Sequence, residues 1–376
     1  MGIQLFAAVY DVDACLKGIR DCLEKGWTGQ GYKTIEFEEA WKEYTGLPNA
    51  HFLTTGTAAL NLAVETLKEE CGWAVGDEII STPLTFVATN NCILYAKMKV
   101  VFADIDDTLC LNPKDVERKV TDKTRAVIFV GLGGNSGHYL DIVEICKKHG
   151  LKLILDAAHM AGTRLCGGHI GREADAVIYS YHVTKNLSTA EGGMLCFREK
   201  AFDKIVRNKS FNGIDKSHAP MASEKNNKWD YDVRYLADAY NGNSIIAAIA
   251  LAQLPHLDKE NAYRRQIAEW YDEGLKGLSH KIKFVSIPKD CESARWLYQI
   301  VVGDRDGLIR HLTDNNIGCG IHYPDNTLYW MYTSEHGKCP KAAYVSDHVI
   351  SLPLHLKLTF DDVKFIVKKV TEYAGC

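Results

Sequence analysis

From about residue 50 onward, short apolar runs alternate with stretches whose apolar residues recur at helical spacing. His51–Thr54 reads as a brief strand, and Thr57–Glu69 as a helix that gathers Leu60, Ala63, Val64 and Leu67 on one face. The same reading gives strands at Asp77–Ser81, Lys99–Asp104, Ala126–Val130, Leu151–Asp156, Ala176–Tyr179 and Gly193–Phe197. Helices fill the intervals at Phe86–Tyr95, Asn112–Val120 and Leu140–His149. Strands that are apolar throughout, rather than at every second position, belong to a sheet covered on both faces, and helices between them make it parallel. The expected fold class is α/β, with a mostly parallel seven-stranded sheet flanked by helices.

The rhythm changes after residue 200. Residues 208–233 are polar and rich in Lys, Asn and Ser, as a long loop would be. A helical stretch begins near Ile245 and continues through Arg264 to Leu275. Beyond residue 280, strands at Phe284, Tyr298–Val302 and Ile350–Leu352 with intervening helices predict a smaller α+β C-terminal domain. The expected division is 1–250 for the large domain and 251–376 for the small one.

Composition narrows the function. With 376 residues, 46% of them hydrophobic, the chain can bury a large core. Its 44 basic and 48 acidic residues leave a net charge of −4, so no global basic field attracts nucleic acid or an acidic membrane. Asp11 and Asp13 interrupt the N-terminal apolar stretch early, against a secretory signal, and Phe6 stands where a myristoylation signal wants Ser or Thr. The longest uncharged apolar run, Ile245 to Leu254, is about half a membrane span. Twelve cysteines are scattered without a CxxC pair, which fits neither a zinc site nor a disulfide framework. Cys92, Cys146 and Cys196 read as small core hydrophobes, and the expected compartment is the cytoplasm.

In a parallel sheet, ligands sit outside the carboxyl ends of the strands, so the residues just after each strand carry the candidate chemistry. After His51–Thr54, Gly56 and Thr57 open a helix, a natural seat for phosphate; taken alone, the stretch is more often an ordinary threonine cap. Phe86 follows the next strand and could stack on a flat heteroaromatic ring. Asp156 closes a buried apolar strand, where a carboxylate needs a charged partner; a protonated pyridine would be one, a helix cap or metal site another. Ser180 and His182 stand where a second arm of a phosphate cup would lie, and Lys185 follows them. An anion cup, a stacking ring, a carboxylate and a lysine on successive strand ends are together what pyridoxal 5′-phosphate (PLP) requires.

The ordered series of motifs resembles the DegT/DnrJ/StrS family of nucleotide-sugar aminotransferases, over nearly the whole chain. The likeness runs from Trp27-Thr28-Gly29-Gln30-Gly31 through Thr55-Gly56-Thr57-Ala58-Ala59-Leu60 and Thr85-Phe86-Val87-Ala88-Thr89. It continues in Asp156-Ala157-Ala158-His159, Ser180-Tyr181-His182, Thr184-Lys185-Asn186 and Glu191-Gly192-Gly193-Met194. Leu251-Ala252-Gln253-Leu254, His322-Tyr323-Pro324 and Leu352-Pro353-Leu354-His355 complete it. The resemblance implies the aspartate-aminotransferase-like architecture, PLP fold type I. It implies PLP on Lys185 as a Schiff base, Asp156 at the pyridine nitrogen and His159 at the ring oxygen. Phe86 would stack on the ring, and Gly56, Thr57 and Ser180 would hold the phosphate. Thr28, His322 and Tyr323 would face the substrate.

It further implies a homodimer with shared sites, in which Asn241 reaches the partner's phosphate. The implied reaction moves an amino group from an amino acid, glutamate by the family's habit, to a nucleotide-linked keto-sugar. Alternatives are a PLP- or pyridoxamine-dependent sugar dehydratase and a PLP-binding regulatory protein without turnover. Lys185 argues against the branch of dehydratases in which His replaces the lysine, and intact Lys185, Asp156 and His159 argue against the regulator. Two segments depart from the family pattern and are expected to border the substrate: Gly131-Leu132-Gly133-Gly134-Asn135-Ser136-Gly137, and the stretch between Phe211 and Tyr235.

Overall fold

In the computed structural model, which describes residues 2–215 and 231–375, a seven-stranded sheet organises the chain. Its strands are β1 (His51–Leu53), β2 (Glu78–Ser81), β3 (Lys99–Phe102), β4 (Thr124–Val130), β5 (Lys152–Asp156), β6 (Ala176–Ser180) and β7 (Gly193–Phe197). Their order across the sheet is β1-β7-β6-β5-β4-β2-β3. Only β7 runs antiparallel to its neighbours, as expected of a mostly parallel sheet.

Both faces of the sheet are covered, which is why its strands are apolar throughout. Along β4, Ala126 and Ile128 join one apolar cluster, while Val127 and Phe129 join the cluster on the opposite face. Ile154 and Ile178 point to the first cluster, and Leu153, Leu155, Val177 and Tyr179 to the second. Helices Gly56–Glu70 and Ala88–Tyr95 supply the first cover. Helices Tyr32–Thr45, Tyr139–His149 and Ser244–Gln253 supply the second. Cys92, Cys146 and Cys196 are buried in these clusters. No described helix is long and apolar enough to cross a membrane.

Register sets the site. Val130 pairs with Asp156, Asp156 with Ile178, and Ser180 with Gly193, which in turn faces Leu53. The residues that follow β1, β4, β5 and β6 therefore meet at one edge of the sheet.

Beyond the helix Ser244–Gln253, the helix Leu257–Leu275 packs against the C-terminal helix Phe360–Gly375. A second, antiparallel sheet of three strands, β8 (Ile282–Phe284), β9 (Tyr298–Val302) and β10 (Val349–Leu352), lies with them, as the sequence predicts. Its apolar cluster is drawn from residues between Ile267 and Val370. The N-terminus crosses to this unit: Ile3 bridges Ile317, and the Gly318 N–H donates to the Ile3 carbonyl at 2.7 Å. Phe86, expected inside a helix, lies in the turn that precedes the helix Ala88–Tyr95. Of the polar stretch 208–233, residues 216–230 fall outside the described residues.

Candidate active site

The strand ends open on a cavity of ≈ 460 Å³, within the usual range for small-molecule sites. Gly56, Thr57, Phe86, Asp156, His159, Ser180, Lys185, His322 and Tyr323 all line it, whereas Thr28 and Asn241 do not. Asn241 Oδ1 instead accepts from Ser210 Oγ of its own chain at 2.8 Å, and Thr28 is exposed beside it, its carbonyl accepting from the Ser244 N–H.

One wall is the start of the helix Gly56–Glu70. Thr55 caps it, its side chain accepting from the Ala58 N–H at 3.0 Å. The earlier N–H groups, of Gly56 and Thr57, have no intrahelical acceptor and face the cavity with a favourable dipole. The turn into β7 presses on this wall so closely that a Cβ at Gly193 would sit 2.3 Å from the Thr55 carbonyl and 2.5 Å from the Gly56 nitrogen. Both contacts are to backbone, so neither can swing aside. Gly193→Ala is expected to cost about 1–3 kcal/mol of stability, the usual penalty of overpacking. A denaturant melt reads it, and a variant as stable as wild type would show the wall to be compliant.

Asp156 is nearly inaccessible, at 4% exposure. Its carboxylate accepts from Thr89 Oγ1 at 2.7 Å and from the Ala158 N–H at 3.1 Å. Burial raises its pKa, while those two hydrogen bonds and the charge of Lys185 work in the opposite direction. A cation brought to the cavity would favour its ionised form.

Lys185 extends from the loop after β6. Among the described residues its Nζ makes no hydrogen bond or ion pair; it lies 3.6 Å from the centroid of the Trp296 ring. Burial pulls its pKa from 10.5 down to about 7, against the attraction of Asp156. At neutral pH the amine is thus divided between its free-base and cationic forms.

His159 is buried, and burial holds its pKa well below 6.5, a direction that a charge on Lys185 or His322 would reinforce. Its ring is therefore neutral. The Gly133 N–H donates to Nδ1 at 3.3 Å, which places the ring proton on Nε2, 3.3 Å from the Tyr323 hydroxyl. Gly133 has φ +65, the left-handed region that a side chain disfavours. The glycine-rich loop after β4, expected to border the substrate, thus supports His159 from behind, and none of residues 131–137 lines the cavity.

His322 arrives from the second unit, its Nδ1 2.9 Å from Ser351 Oγ, and burial lowers its pKa to about 4. Phe86, 56% exposed, stands at the cavity with its ring 5.9 Å from that of Tyr323. His182 is tied to Thr184 Oγ1 at 3.0 Å and approaches Glu191 at 3.6 Å. Among the wall residues that escaped the strand-end rule are Thr89, Phe6 and Trp296. Thr89 sits one helical turn after Phe86, Phe6 comes from the N-terminal segment, and Trp296 precedes a strand instead of following one.

These residues fit PLP. The cavity holds an amine with no hydrogen bond or ion pair among the described residues, a buried carboxylate for a pyridinium, a neutral imidazole donor, an uncovered aromatic face and the open start of a helix. That donor set matches the ring, its substituents and its phosphate one for one.

A model of the DegT/DnrJ/EryC1/StrS aminotransferase family matches residues 11–371. The spore coat polysaccharide biosynthesis protein SpsC of Bacillus subtilis is 32% identical over 369 residues, 95% of this chain and 93% of its own. Among solved structures, the Spr1654 protein of Streptococcus pneumoniae in its PLP form superposes with a TM-score of 0.89 at 26% identity, over 100% of this chain and 99% of its own. The sugar aminotransferase CalS13 of Micromonospora echinospora does so with a TM-score of 0.90 at 25% identity, over 98% and 99%.

Proposed function

We propose, for a chain that belongs to the DegT/DnrJ/EryC1/StrS aminotransferase family and takes PLP as its cofactor, the transfer of an amino group from glutamate to a nucleotide-linked keto-sugar. The observation that carries this reading is the Lys185 amine, without a hydrogen bond or ion pair among the described residues, in one cavity with buried Asp156. The sugar acceptor is supported by the polysaccharide and sugar-aminotransferase relatives.

When bound, PLP supplies an electron-withdrawing ring that stabilises negative charge on the carbon beside the amine nitrogen. The protein supplies the rest. Lys185 would hold PLP through Nζ; once the donor's amine has displaced it, the freed amine, with a depressed pKa that suits both base and acid near pH 7, would take the proton from the donor's Cα and give it back at the cofactor carbon. Asp156, oriented by Thr89 and Ala158, keeps a proton on the ring nitrogen. His159 offers its Nε2 proton to the ring oxygen, and Phe86 covers one face. Gly56, Thr57 and Ser180 would receive the phosphate, and His322 and Tyr323 would contact substrate, with Thr28 doing so across a dimer. The donor leaves as its keto acid, and the amine then passes to the ketone of the sugar.

The active unit is a homodimer in this reading. Val12, Leu16, Leu23, Trp27 and Ile35 are exposed on and between the helices Val12–Glu24 and Tyr32–Thr45, apolar side chains suited to meeting a second copy. Asn241 and Thr28 stand outside their own chain's cavity, as residues serving a partner would. The division into domains near residue 250 belongs to the same proposal and is supported by the separate apolar cluster between Ile267 and Val370.

Incubation with 15N-glutamate and a panel of nucleotide-linked keto-sugars tests the reaction. A mass increase matching one labelled amine on a sugar is expected; dehydrated sugar without nitrogen would favour a dehydratase, and no turnover with any member would overturn the acceptor class. Mixing Lys185→Ala chains with Asn241→Ala chains tests the sharing. Activity should reappear after subunit exchange, because the hybrid keeps one intact site; no recovery despite proven exchange would return Asn241 to its own chain.

A further inference from the structure

We propose that Trp296 is a positioning residue for the reactive lysine: its ring is the platform on which the Lys185 amine rests, and its N–H anchors the peptide that carries it. The inference rests on the reading of Lys185 as the reactive amine. It begins from the observation that Lys185 Nζ, without a hydrogen bond among the described residues, lies 3.6 Å from the Trp296 ring centroid. The indole N–H donates to the carbonyl of Thr184, the residue before the lysine, at 2.7 Å. Asn186, the residue after it, donates through Nδ2 to the Ala294 carbonyl at 2.7 Å. Both neighbours of Lys185 are thus tied to one short segment, residues 294–296.

The same segment holds His159. The imidazole stacks on the Trp296 ring with centroids 3.8 Å apart and planes 24° apart. The Trp296 N–H of the main chain donates to the Gly133 carbonyl at 3.1 Å, and Gly133 donates in turn to His159 Nδ1. Phe6 stacks on the indole at 5.4 Å, and the Ala294 N–H donates to Thr163 Oγ1 at 3.1 Å, so the platform is itself held. One side chain therefore touches both the lysine and the imidazole, and fixes their separation.

An aromatic face attracts a cation, and more strongly where water is excluded. Trp296 consequently favours the charged form of an amine that burial drives toward neutrality. The other titratable groups facing Lys185 are Asp156, His159, His322 and Tyr323, with His182 and Glu191 at the rim. Glu260 and Arg264 lie behind it. Substitutions at Trp296 leave the charges of all these groups in place.

The test measures the pH dependence of Lys185 acylation in the full-length chain freed of cofactor, by pulsed labelling with acetic anhydride and peptide mass spectrometry. Trp296→Leu removes both the ring and the indole N–H, and Trp296→Phe keeps the face but loses the N–H. The wild-type midpoint should lie near 7. Trp296→Leu should lower it by roughly 0.4–1.5 pH units, because the cation loses its favourable face, while Trp296→Phe keeps the wild-type midpoint. In the loaded enzyme both variants should lower kcat with little change in KM for the amino donor. Should Trp296→Leu fail to fold, Trp296→Met fills similar space without a ring and is read in the same way. An unmoved midpoint in the ringless variants, or an equal shift in Trp296→Phe, overturns the proposal. So does a rise toward 10.5, which would make the ring only a cover against water. Borohydride fixation of PLP on Lys185 is scored separately on wild-type protein, so loss of the platform and loss of the reactive lysine give different results.

Discussion

Lys185→Ala is expected to lower amino-group transfer by about 10²–10⁴-fold or more, the range that a positioned acid–base group contributes. The variant should still fold and can still take up PLP, since the residues proposed to meet its phosphate and ring are others. Its effect on the cofactor-free protein has a sign that can be worked out. The folded amine titrates near 7 and an unfolded lysine near 10.5, so between those values the unfolded chain binds a proton that the folded chain has lost. Stability rises with pH wherever the unfolded state binds more protons. Wild-type protein therefore gains stability as pH rises from about 7 toward 10.5, and Lys185→Ala should lack that part of the slope. Denaturant melts across this window measure it, and identical slopes for the two proteins would mean that the amine is solvated.

Asp156→Asn should separate binding from turnover. A hydrogen bond to a charged group is worth about 1.5–3 kcal/mol, so cofactor affinity should fall roughly 10–150-fold. Turnover should fall further even with PLP saturating, because an amide holds no negative charge to keep the ring nitrogen protonated. The amide oxygen can keep the bond from the Ala158 N–H, and the Thr89 hydroxyl, which meets the other carboxylate oxygen, can turn to accept from the amide NH2, so the fold around it should survive. Near-normal turnover at saturating PLP would remove Asp156 from the chemistry.

The strands β4, β5 and β6 could be read from sequence because each is apolar on both faces, a pattern that exposed elements do not share. Their register then brings Asp156, Ser180 and Gly193 to a common edge, so the residues after the strand ends disclosed most of the cavity. The helices before residue 50 were harder to see. In Tyr32–Thr45, Glu38 lies on the buried side, where its carboxylate accepts from His51 Nδ1, the Phe52 N–H and Arg207; a charge there breaks the apolar stripe.

Trp296 and Phe6 reach the cavity by contacts far apart in the chain. Nothing local marks a tryptophan that will meet His159 and Lys185 through a loop of the second unit. The glycine-rich loop after β4 had a visible conformational demand but not a visible role, because its service to His159 is a single N–H from Gly133. Thr28 and Asn241 do not line their own chain's cavity, and the roles proposed for them would need a second copy of the chain.

The central claim is that Lys185 carries the cofactor, and reductive trapping tests it most directly. Holoenzyme treated with borohydride and digested should yield one peptide heavier by the reduced cofactor, and fragmentation should place that mass on Lys185. A mass placed on any other lysine, or no fixed cofactor in protein shown to hold PLP, would contradict the account.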